Sequence, residues 1–128
     1  FLLGSSLNLI MAQRLVRTID PNANEKYTPT KEELALIDFP KSKLKSKLIR
    51  GIPNQHNHNT GYKGRTAIHE ILEVDKKMTE LIFNQENGNV ILDAAKKAGM
   101  TTLREAGIEK IIEGKTTIEE VARATVKD

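Results

Sequence analysis

The sequence predicts a mainly α-helical fold with a minor β element. Residues 75–126 divide into short apolar-periodic segments, opened by Asp, Asn or Thr and mostly closed by Gly. RTAIHEILEV (65–74) combines β-branched residues with the absence of a helix cap, so it is the best strand candidate, in one short strand pair at most. The core must come from Leu, Ile, Val and Ala, since aromatics make up 4% of the 128 residues and Trp is absent.

The first element expected is a helix from Ser5 or Ser6 to about Thr18. Leu7, Ile10, Met11 and Leu15 form one apolar face, and Leu9, Ala12 and Val16 a second. A helix apolar on most of its circumference wants burial, and little in the next fifty residues would cover it. Segment 1–19 is therefore expected to complete a domain lying upstream, with residue 1 a cut point. The opening FLLGSSLNLIMA has neither an initiator Met nor a preceding basic segment, so it does not read as a signal peptide. No apolar run approaches the roughly 18 residues that span a bilayer.

Pro21 to Asn24 is a turn, and Thr30 with Glu33 forms a capping box for the helix TKEELALID, which Phe39-Pro40 ends. KSKLKSKLIR (41–50) reads as a solvated linker or a lysine-guarded edge strand, with an anionic lipid or nucleic-acid patch as the less favoured reading. After the loop 51–64 and the strand, Asp75 caps KKMTELIFN and Gly88-Asn89 restarts the chain into VILDAAKKA, closed at Gly99. Thr102 with Glu105 and Thr117 with Glu120 are two further capping boxes, and Gly114 ends the helix between them.

Hydrophobic content of 38% with 29% charge describes a folded chain, and a net charge of +3 is too small to specify a partner. With no cysteine there is no disulfide, thiolate nucleophile or cysteine-held metal. No P-loop, G-x-G-x-x-G, H-E-x-x-H or G-x-S-x-G occurs, and no catalytic residue is assigned. Glu105 and Glu120 read as capping-box residues, and Asp20 and Asp75 as turn or cap residues. His56 and His58 would need Asp20 to complete a metal site, so a polar loop is the preferred reading. Gly61 and Gly64 bracket Tyr62-Lys63 before Arg65, a turn that suits phosphate contact or the structural anchoring of one Tyr, the latter preferred. TTIEEVARATVKD resembles the first helix of a helix-turn-helix, with no recognition helix after it.

SSLNLIMAQRLVR (5–17), HNTGYKGRTAIHEILEV (58–74) and AGMTTLREAGIEKIIEGKTTIEEVARAT (98–125), with the turn after the first, resemble in that order the C-terminal part of the GspE/PilB-type ATPases of type II secretion and type IV pilus assembly. The resemblance covers essentially the whole chain. It implies the C-terminal helical subdomain of a RecA-like secretion ATPase, with segments 1–19 (core helix), 20–64 (knuckle-like subdomain with a Lys-rich linker) and 65–128 (strand plus helices). That family usually carries a four-cysteine zinc subdomain. Counting from A-Q-R-L-V-R and T-G-Y-K-G-R places the ligand positions at Asp20, Ala23, Asn54 and Asn57, all substituted here. Zinc is thus not expected, and the loop is expected to be more mobile unless packing replaces the metal.

The resemblance further implies a cytoplasmic, hexameric parent at the inner face of the membrane. That parent would use ATP and Mg, with the Walker motifs in an upstream nucleotide-binding domain and a membrane platform protein as partner. The fragment itself is expected to hold no cofactor, bind no nucleic acid and hydrolyse nothing. Arg14 and Arg17 are expected to pair with carboxylates of that core or of a neighbouring subunit, and Arg65 is expected among the core or subunit contacts. The alternative is a small stand-alone module binding nucleic acid or an acidic membrane.

Overall fold

The computed structural model describes residues 9–73, 80, 84, 87–97 and 100–125. Its strands are β1 (Leu9–Ile19), β2 (Asn24–Tyr27), β3 (Leu48–Gly51) and β4 (Tyr62–Glu73). Its α-helices are α1 (Lys31–Ala35), α2 (Gly88–Lys97), α3 (Leu103–Ile112) and α4 (Ile118–Ala124), with 3₁₀ turns at Lys41–Lys43 and Gln55–Asn57. β1 pairs with β4, and β2 pairs antiparallel with β3 in the register Asn24↔Gly51 to Tyr27↔Leu48.

The chain is therefore mixed α/β rather than mainly α. The error lies in the first element: the segment expected as a helix to Thr18 is the long strand β1. An apolar segment without a clean period fits a helix or a buried strand equally, and pairing with β4, more than forty residues on, decides between them. The β-branched Val16, Thr18 and Ile19 suit the extended state, and Val16 and Ile19 are buried in it. The strand expected at 65–74 is present as β4. The Ser5/Ser6 cap, Asp75 with most of the segment it caps, and the Gly99 stop lie outside the described residues.

The chain divides into two compact units. In the first (1–13 and 69–102), α2 starts where the Asn87 side chain accepts a hydrogen bond from the Val90 N–H at 3.0 Å, one residue before the expected restart. In the second (14–68 and 103–128), Ile37, Phe39, Leu48, Ile108, Ile111, Ile118 and Val121 form one core, joining α3 and α4 to β3 and to the chain after α1. The Thr30–Glu33 capping box is present with both of its bonds at 3.1 Å.

Within this core α3 and α4 touch through Gly107, where a Cβ would stand 2.6 Å from Val121 Cγ1. Close approach explains a glycine in a helix interior, where it otherwise costs up to about 1 kcal/mol relative to Ala. Gly114 adopts φ +77° just after α3, and its N–H and that of Lys115 return to the carbonyls of Ile111 and Lys110. The helix thus stops at the Gly114 expected from the sequence, through a left-handed residue. The Lys-rich segment forms a 3₁₀ turn and then β3, with Leu48 buried and Lys43 Nζ bonded to Glu109 Oε1 at 2.8 Å.

Candidate functional site

Glu120 lies in the first turn of α4, an acidic position that the helix dipole favours. Thr117 caps the helix, its hydroxyl accepting the Glu120 N–H at 3.2 Å. The expected reciprocal bond is replaced. The Glu120 carboxylate is only 2% exposed and accepts from the Arg17 backbone N–H at 2.7 Å and from Arg17 Nε at 3.0 Å. It also accepts from Arg17 Nη2 at 3.3 Å and from Arg123 Nε and Nη2, both at 3.1 Å. Burial alone would raise its pKa; the bonds from Arg123 and Arg17 outweigh that and hold it at about 2. The cluster is an ion triad built from β1 and one helix turn.

Tyr62 completes it. The Arg17 guanidinium lies 4.3 Å from the Tyr62 ring centroid, and the Tyr62 hydroxyl shares a 2.7 Å hydrogen bond with Thr117 Oγ1. Burial pushes the phenol's pKa up, which the bond to Thr117 partly offsets, so the ring stays neutral. On the other side, Thr116 Oγ1 donates to the Arg17 carbonyl at 2.8 Å and Ile19 N–H to the Lys115 carbonyl at 2.9 Å.

In front of the triad opens a cleft of about 840 Å³ whose walls include Arg17, His58, Tyr62, Arg65 and Arg123. Glu120 supplies one carboxylate against two of these guanidiniums, so the cleft keeps a positive balance. Its chemistry suits an anionic group, a carboxylate or a phosphate, that guanidiniums can grip in a bidentate way.

The structure thus brings Arg17 and Arg65 to one cleft, while Arg14 is exposed on β1 and does not line it. The carboxylate facing Arg17 belongs to its own chain. From the sequence, Glu120 reads as a cap only, and Arg123 and Tyr62 carry no ionic role. The i,i+3 spacing of Glu120 and Arg123 was the one signal available.

Asp20, Ala23, Asn54 and Asn57 also converge. Asn57 Nδ2 donates to Asp20 Oδ2 at 2.9 Å, Asn54 and Asn57 cap each other reciprocally, and Ile52 N–H donates to the Ala23 carbonyl at 2.8 Å. His56 is exposed and His58 lies on the cleft wall. Among the described residues no three His, Asp or Glu side chains stand close enough together to hold a metal ion.

Residues 1–123 match the model of a family described as type II/IV secretion system protein. The chain is 43% identical over 129 residues to the type II secretion system ATPase E of Vibrio cholerae, covering 98% of this chain and 24% of that protein. It is 38% identical over 126 residues to the type II secretion system protein E of Pseudomonas aeruginosa (98% and 24%). Against the type IV pilus assembly ATPase PilB of Thermus thermophilus it is 34% identical over 128 residues (99% and 14%). The chain thus spans a quarter or less of the length of these relatives.

Proposed function

This chain belongs to the type II/IV secretion system protein family, and from that premise we propose that it is the C-terminal structural and coupling part of a motor ATPase for type II secretion or type IV pilus assembly. The relatives' names carry the ATPase reading. On this reading the nucleotide-binding domain, with its ATP and Mg, belongs to the rest of the parent protein. The parent works as a hexamer at the cytoplasmic face of the membrane against a platform protein. No helix among the described residues is long and apolar enough to cross a membrane.

The observation that carries the coupling role is the cationic cleft. Arg17 and Arg123 are held by Glu120, whereas Arg65 lies on the wall, exposed, with no ion pair among the described residues. A rigid triad with one spare guanidinium fits an acidic surface of the nucleotide-binding domain or of a neighbouring subunit.

Arg65→Glu in the complete ATPase tests it. We expect ATP hydrolysis or hexamer formation to fall about tenfold, the equivalent of one charge-assisted contact, with the melting temperature unchanged. Wild-type hydrolysis and assembly in that variant would sink the reading. Tight, salt-sensitive binding of duplex DNA by the protein would instead favour the stand-alone module.

A further inference from the structure

The loops 20–24 and 51–61 are joined side chain to side chain and backbone to backbone. Asn57 is 2% exposed and uses its whole amide. Nδ2 donates to Asp20 Oδ2 at 2.9 Å and to the Ile52 carbonyl at 3.0 Å, while Oδ1 accepts from Asn54 N–H at 2.9 Å and Gly61 N–H at 3.1 Å. Two acceptors on one side and two N–H donors on the other leave the amide a single orientation. Asp20 is equally committed: Oδ1 accepts from Asn22 N–H at 2.9 Å and Oδ2 from Asn57. Its backbone N–H donates to the Gly61 carbonyl at 3.0 Å. The two ends of the 51–61 loop also meet with no room for a side chain, since a Cβ on Gly51 would fall 1.7 Å from the Gly61 carbonyl oxygen.

This chemistry does not suit zinc, the metal implied by the family resemblance at these four positions. Ala23 has no donor atom. Carboxamides are poor zinc ligands beside Cys and His, and the Asn57 oxygen is already taken by two N–H groups. One carboxylate remains, and it faces an amide N–H₂.

We propose that Asp20 and Asn57 form a metal-independent clasp that replaces zinc at this site and sets the register of the cleft wall. The clasp grips Gly61 from both sides, through its N–H to Asn57 and its carbonyl to Asp20. The next residue is Tyr62, which packs under Arg17, and Arg65 follows three residues later. Asp20 and Asn57 are therefore positioning residues for the cleft, acting through the backbone of Gly61. The inference rests on the family assignment of the loop and not on the coupling role, so a neutral Arg65→Glu result leaves it standing.

The test is made on the purified protein by metal analysis, thermal unfolding with and without EDTA, and hydrogen exchange read residue by residue. The wild-type protein should hold well under one zinc per chain and keep its melting temperature in EDTA. Asn57→Ala should speed exchange of the Gly61 amide about tenfold, as the loss of one hydrogen bond would. If that variant fails to fold, Asp20→Asn, which keeps the shape and removes the charge, should show the same change more weakly. The D20C/A23C/N54C/N57C variant should take up one zinc and become EDTA-sensitive. One tightly held, EDTA-sensitive zinc in the wild type overturns the proposal, as does unchanged Gly61 exchange in both single variants. A four-cysteine variant that binds no zinc overturns the claim that these are the ligand positions.

Discussion

Arg17 meets Glu120 twice, through its backbone N–H at 2.7 Å and its guanidinium at 3.0 Å, across 103 residues of sequence. A single carboxylate thus satisfies a strand backbone group and neutralises a side chain of the same residue, locking β1 to the first turn of α4. Pairing through a backbone group fixes position along the strand in a way that a long, mobile side chain alone does not.

Removing that carboxylate should cost more than removing Arg123. Glu120→Ala strands the Arg17 N–H and leaves two guanidiniums facing each other; breaking a fully buried pair costs about 3–5 kcal/mol. Here the Arg17 and Arg123 side chains are 45% and 60% exposed and stay hydrated, so about 2 kcal/mol is expected. Arg123→Ala, at the exposed end, should cost under about 1 kcal/mol. Urea unfolding of the three proteins gives the order, and an Arg123→Ala loss equal to that of Glu120→Ala would sink the ranking.

Gly107 and Val121 make a second coupled pair, apolar this time. A methyl on Gly107 would reach 2.6 Å from Val121 Cγ1, and both residues are buried. Gly107→Ala should therefore destabilise by about 1–3 kcal/mol through overpacking, despite its better helix propensity. Val121→Ala alone should cost about 1–3 kcal/mol through the space it leaves. Because Val121→Ala removes the two methyl carbons that crowd the site, the double variant should lose less than the two single losses combined. A double-mutant cycle in urea measures the difference, and simple additivity would show that the helices do not touch here.

Which of these features could be read from the sequence follows from how local their causes are. The Thr30–Glu33 box and the Gly114 stop depend on residues within one helix turn, and both are present. β4 was legible because Thr66, Ile68 and Ile71 give it β-branched character without a competing cap. β1 was not, because its state depends on a partner strand far along the chain and its apolar residues satisfy either period. The Arg17–Glu120 pair is equally non-local: the sequence shows two charges, and only the pairing of β1 beside α4 brings them together. The family resemblance implies zinc-ligand positions at Asp20 and Asn57, yet the bond between them follows from the closed geometry of both loops.

Acid should expose the triad. Glu120 has an ordinary carboxyl pKa of 4.5 when unfolded and about 2 when folded. A depressed folded value means that the ionised form favours folding. The contribution is complete above about pH 5 and is lost as pH falls from 4.5 towards 2. Discounted for the hydrated arginines as above, this contribution is on the order of 2 kcal/mol. Asp20 adds to it with the same sign, its pKa lowered first by the Asn22 N–H and then by the Asn57 amide. Tyr62 and Tyr27 act at the other end: burial raises both above their ordinary 10.0, so the stability they contribute is lost only as pH rises past that value. Urea unfolding at pH 7, 4 and 3 should therefore show a steep fall in the wild type and a shallower one in Glu120→Gln, which has no proton to take up. Parallel slopes in the two proteins would place the acid sensitivity elsewhere than in the triad.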